Sequence, residues 1–134
     1  MAGFTDFLEL EVLDHIFGGA DYARPATLYV GLSTTLPSEA GANISEPSGN
    51  GYARVTVTNN ATNWPAASAG SKANGADITF PQASGSWGTP GYWFISDAAS
   101  GGNVLISGAI TVPKAIASGD TAKFAIGAIV ISLD

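Results

Sequence analysis

The chain of 134 residues contains no cysteine, so disulfides, thiolate metal ligands and thiol nucleophiles are all excluded. Charge is also scarce. Only 12% of residues are Asp, Glu, Lys or Arg, against about 25% in an average chain. The five cations, Arg24, Arg54, Lys72, Lys114 and Lys123, are scattered rather than clustered. With a net charge of −6 and an isoelectric point near 4.4, no basic patch exists to displace counterions from a nucleic acid or to seek an anionic membrane. No apolar run approaches the length of a transmembrane helix. The N-terminal stretch MAGFTDFLELEVLDHIFGG lacks a basic start and carries Asp6, Glu9, Glu11 and Asp14 through its apolar residues, so it does not read as a signal peptide.

What is abundant is glycine, at 17 residues, together with Ala, Ser and Thr. Aliphatic content is sufficient for a core, and a single domain of this length buries roughly two thirds of its unfolded surface. An uncharged surface of small side chains loses little rotamer entropy or charge hydration when it packs against another protein.

Local patterns predict one helix followed by strands. Residues 5–17 read as the helix, with Thr5 as N-cap, Asp6 and Glu9 at its positive end and Gly18–Gly19 closing it. Its apolar residues form two rows. Phe4, Leu8, Val12 and Ile16 lie on one side, and Leu10, Leu13 and Phe17 lie nearly opposite. Such a helix needs two partners. Either one row packs on its own domain and the other on a neighbouring chain, or the whole helix is buried within the domain.

From Tyr22 onward the period becomes two. Segment 26–34 sets Leu28, Val30 and Leu32 against Thr27, Tyr29 and Ser33, and segment 52–59 sets Ala53, Val55 and Val57 against Tyr52, Arg54 and Thr56. Between them, loop 35–51 is too long for a simple hairpin. ADITFP (76–81) reads as a short strand. GYWFIS (91–96), the turn DAASGGN (97–103) and NVLISGAITV (103–112) form a hairpin. After the turn SGD (118–120), residues 121–134 read as one long final strand with a β-bulge at Gly127–Ala128. The expected fold is mainly β: an antiparallel, jelly-roll-like β-sandwich with one N-terminal α-helix. Residues 1–20 would form a helical arm for assembly contacts, and 21–134 a single sandwich domain.

Catalytic patterns are missing. His15 is the only histidine, and no G-x-S-x-G nucleophile turn accompanies it. One histidine without cysteine does not make a transition-metal site. The carboxylates sit in the helix or at turns, apart from any evident acid–base pair, and no D-x-D-x-D-G calcium loop occurs. Gly49-x-Gly51 opens a strand rather than a phosphate-binding helix. The expectation is a protein that is not an enzyme and needs no cofactor. Trp64, Trp87, Tyr92 and Trp93 could stack on sugars, as in a carbohydrate-binding module. Strand alternation, however, sends Tyr92 and Phe94 to one face and Trp93 and Ile95 to the other. With Trp93 and Ile95 inward, Tyr92 and Phe94 face a second layer, a neighbour or water.

The segments FTDFLELEVLDHIFGG, ATLYVGLSTTLPSEAG, SGNGYARVTVTNN, ADITFPQASGSWGT, FISDAASGGNVLISGAI and IASGDTAKFAIG occur in this order over nearly the whole chain. In that series the chain resembles a family of short tailed-phage virion structural proteins. Members are often described as tail-fibre proteins, and similar small β-sandwiches act as trimeric head-decoration or cement proteins. The run Tyr92–Trp93–Phe94 is heavier in aromatics than this resemblance leads one to expect. The resemblance implies a structural role in a virion and does not by itself say head or tail. The expected role is capsid decoration, with the protein made in the host cytoplasm and placed on the capsid surface, where it binds adjacent capsid subunits and stabilises the shell. It would be a homotrimer whose partners are itself and the major capsid protein. The alternative is a tail-fibre-associated or tail-tip protein that partners tail proteins. Contacts are expected at Leu10, Leu13 and Phe17, at loop 35–51, and at Tyr92 and Phe94.

Overall fold

The computed structural model describes residues 3–133. Strand β1 (Gly3–Phe4) precedes helix α1 (Asp6–Ile16). Then follow β2 (Thr27–Ser33), β3 (Val55–Thr58), β4 (Ser71–Ala73), β5 (Ile78–Thr79), β6 (Tyr92–Ser96), β7 (Val104–Ala109), β8 (Lys123–Phe124) and β9 (Val130–Ser132). The fold is mainly β. Five strands form an antiparallel sheet in the order β1-β7-β6-β2-β3. The remaining strands form two separate ladders, β4 with β9 and β5 with β8, rather than one continuous second sheet.

Alternation sets which face of the sheet is dry. Leu28, Val30 and Leu32 of β2, Val57 of β3, Trp93 and Ile95 of β6 and Ile106 of β7 point into one core. The opposing side of that core comes from irregular segments and the short ladders, through Trp64, Ile78, Phe80, Trp87 and Ile129. Tyr52, Phe80 and Trp87 meet at ring-centroid distances of 5.2–6.3 Å, within the range of favourable aromatic pairs. The indole N–H of Trp87 donates to the Asn50 carbonyl at 2.9 Å.

Strand β6 is central, and two of its three aromatic rings, Trp93 and Phe94, each lie over a glycine of an adjacent strand. Trp93 pairs with Gly108 of β7, and Phe94 pairs with Gly31 of β2 on the opposite face. A Cβ on Gly31 would stand 2.3 Å from Phe94 Cζ, and one on Gly108 would stand 2.5 Å from Trp93 Cζ2. Glycine at both positions is therefore a steric requirement of the YWF run. The β6–β7 hairpin closes as expected, with Asp97 Oδ1 accepting the Asn103 N–H at 2.8 Å. Its bulge falls at Ile95/Ser96.

The final strand departs from expectation. Residues 121–133 form two short strands with different partners, not one strand with a bulge. Gly127, at φ 81°, turns the chain between them. Buried Asn74 holds that turn: its Nδ2 donates to the carbonyls of Ala76 (2.9 Å) and Ala125 (3.0 Å), and its Oδ1 accepts the Ile129 N–H (2.9 Å). Leu133 is exposed. Three buried hydrogen bonds at about 1 kcal/mol each make Asn74→Ala cost about 2–4 kcal/mol. Urea unfolding should show a lower midpoint with an unchanged slope.

Residues 1–20 are not a detached arm throughout. β1 pairs with the edge of β7, and Thr5 is buried with its hydroxyl donating to the Val104 carbonyl at 2.6 Å. Thr5 also caps α1, accepting the Leu8 N–H. The helix is thus pinned at its first turn and projects beyond it.

Candidate functional site

Helix α1 has no fully buried residue, which rules out the alternative that it lies wholly inside the domain. Phe7 and Leu8 of its first turn, with Phe4 of β1, pack on the core. The row expected to continue through Ile16 stops short, and Ile16 is 63% exposed. Leu10 (62%), Leu13 (54%) and Phe17 (72%) are exposed along the second row. Spaced at i, i+3 and i+7, they form one ridge, and helical spacing places Asp6, Glu9 and Asp14 beside it. His15, in the last turn, accepts the Tyr22 N–H at Nδ1 (3.1 Å).

The aromatic strand divides differently from what a contact surface requires. Tyr92 is half-buried, but Phe94 is fully buried. Phe94 therefore drops out as a contact residue. What covers it is the Arg54 guanidinium, 4.9 Å from the ring centroid. Arg54 makes a two-pronged contact with Glu46, Nε to Oε1 at 2.9 Å and Nη2 to Oε2 at 2.8 Å. Its Nη1 donates to the carbonyls of Ala98 (2.8 Å) and Gly101 (3.0 Å). The Tyr52 hydroxyl donates to Glu46 Oε1 (2.7 Å) and accepts the Leu32 N–H (3.0 Å).

This clamp ties loop 35–51 and the start of β3 to the β6–β7 turn. Only 6% of the Arg54 side chain is exposed. Burial pushes the Glu46 carboxyl up, but the hydrogen bonds from Arg54 and Tyr52 and the guanidinium charge outweigh it and hold the group below its ordinary value. The bond to Glu46 raises Arg54 in turn. Burial, with the carboxylate beside it, raises Tyr52. Sequence reasoning treated Arg54 as one of several scattered cations. The available signal was its place on the same strand face as Tyr52, opposite the core valines.

Trp64, Trp87 and Trp93 are all buried, so the four aromatics considered for sugar stacking do not form an exposed platform. Loop 35–51 is folded onto the body, with Ser33 Oγ accepting the Thr35 and Ser45 N–H groups. Leu36 remains exposed on its surface.

Two hollows accompany the apolar ridge. One, of about 330 Å³, lies between α1 and Leu133 and is lined by Phe4, Glu9, Val12, Leu13 and Leu133. A larger groove of about 450 Å³ lies at the far end of β7, floored by Leu32, Ile110, Ile116 and Phe124 and bordered by Val112, Lys114 and Lys123. Among the described residues no group of three or more His, Cys, Asp or Glu side chains is placed to hold a metal ion. No helix among them is long and apolar enough to cross a membrane.

No curated protein matches the chain. A family model described as Podophage GP4 fiber I protein gp80 matches residues 3–132, nearly the whole chain, and the chain belongs to that family of phage fibre proteins.

Proposed function

We propose that this protein is a structural fibre component of the phage virion, mounted on the tail, that acts by protein–protein contact and carries out no chemistry. The observation that carries this reading is the fibre-family match over residues 3–132. A fibre family supports the tail-fibre alternative over capsid decoration. The apolar helix ridge at Leu10, Leu13 and Phe17 supports an assembly role, because an exposed apolar stripe on a small domain marks an interaction surface. We expect the protein to act as a homotrimer, a closed cyclic form.

Copy number tests the location. Quantitative mass spectrometry of purified virions should find a small number of copies per particle relative to the major capsid protein, and antibody label should gather at the tail in electron micrographs. Hundreds of copies with label spread over the shell would instead establish capsid decoration.

A further inference from the structure

The helix ridge and the 450 Å³ groove are complementary and share no residue within one copy. The ridge carries Leu10, Leu13 and Phe17 with carboxylates of Asp6, Glu9 and Asp14 alongside. The groove has an apolar floor with Lys114 and Lys123 at its border, two of the five cations in the chain. Its one carboxylate, Asp120, is engaged in capping the 117–120 turn through the Ala117 N–H (2.9 Å). Lys123 shares its charge with Asp77 at 3.7 Å, but both side chains are about half exposed, and such a pair is weak and readily exchanged. Among the described residues Lys114 has no ion-pair partner.

The helix start and the groove sit at opposite ends of β7. The helix starts beside Val104 and Leu105, where Thr5 is bonded, and the groove includes Ile110. Along an extended chain those points lie about 16–20 Å apart at ~3.3 Å per residue, and α1 is pinned at its first turn. Size fits as well. A cavity of about 150 Å³ holds a benzene ring, so the groove admits two or three apolar side chains, as the ridge would supply.

We propose that copies of this chain associate head to tail, the acidic, apolar face of α1 in one copy seating in the Lys114–Lys123 groove of the next. Such a contact joins two different surfaces. Repeated, it closes into a ring when the rotation between copies allows and otherwise extends as a filament. Either form is a building element for a fibre. The inference deepens the fibre reading, but it is tested on purified protein, so its failure leaves the virion location untouched.

Two variants alter only exposed side chains. Leu10→Asp/Phe17→Asp removes the ridge, and Val112→Asp/Lys114→Glu spoils the groove. By sedimentation velocity, wild-type protein should assemble, more strongly at low salt. Each variant alone should be monomeric, with association weakened at least about tenfold, while circular dichroism and the melting temperature stay at wild-type values. Mixed in equal amounts, the two variants should form a dimer and stop there, because one intact ridge and one intact groove remain. A wild type that is monomeric up to its solubility limit would overturn the proposal. So would variants that assemble normally, or a mixture that stays monomeric.

Discussion

Arg54→Ala is expected to destabilise the fold by about 2–3 kcal/mol, the cost of removing a charged donor from a part-buried ion pair. Glu46, its side chain 26% exposed, would lose its strongest donor. The carbonyls of Ala98 and Gly101 would also lose the guanidinium that satisfies them. Arg54→Lys should recover part of the loss only, since an ammonium cannot reproduce the two-pronged contact. Thermal unfolding of the three proteins measures this, and equal melting temperatures would show the clamp to be dispensable.

The same clamp gives a signed pH dependence. Glu46 is held below its ordinary value in the folded state, so over that window the unfolded chain binds more protons. The stabilisation is present above the unfolded carboxylate value of about 4.3 and is lost as pH falls through the lower folded value. Wild type should therefore lose its advantage over Glu46→Gln as the solution is acidified through this range. A difference that stays constant down to the folded value, or widens, would contradict the assignment.

Phe94→Ala is expected to cost about 3–5 kcal/mol, as for a fully buried aromatic whose cavity cannot collapse. Its neighbours leave little room to relax: Gly31 beneath it has no side chain to move in, and Arg54 above it is tethered at both ends. Tyr92→Ala, two residues earlier on the same strand face but half-buried, should cost clearly less. Urea unfolding midpoints of the pair provide the comparison. A Phe94→Ala protein as stable as Tyr92→Ala would mean that Phe94 is not the covered residue. Because Phe94 and Arg54 touch, their losses should not add, and the double variant should lie closer to the worse single than to the sum.

Local features were legible because local forces set them. Thr5 capping a helix that ends at Ile16, the inward Leu28–Val30–Leu32 row and the 97–103 hairpin turn each depend on residues within a few positions. The final strand was misread for a reason of range. The phase slip near Gly127 was visible, but whether it is a bulge or a turn depends on Asn74, which bonds Ala125 and Ile129 from more than fifty positions away.

The aromatic run shows the same division. Sequence by itself determined that Trp93 and Phe94 lie on opposite faces of one strand, because the backbone period of two allows nothing else. It could not say what covers each face. The tertiary structure decided that by bringing β2 beside β6, across a separation of nearly sixty residues, so that Phe94 meets Gly31. It then folded Glu46 and Arg54 over the ring. For the helix, composition along the two rows determined that both sides are apolar, whereas the tertiary structure decided which side finds a partner. Phe7 and Leu8 pack on the core, and the Leu10–Leu13–Phe17 ridge stays in solvent because it faces away from that side.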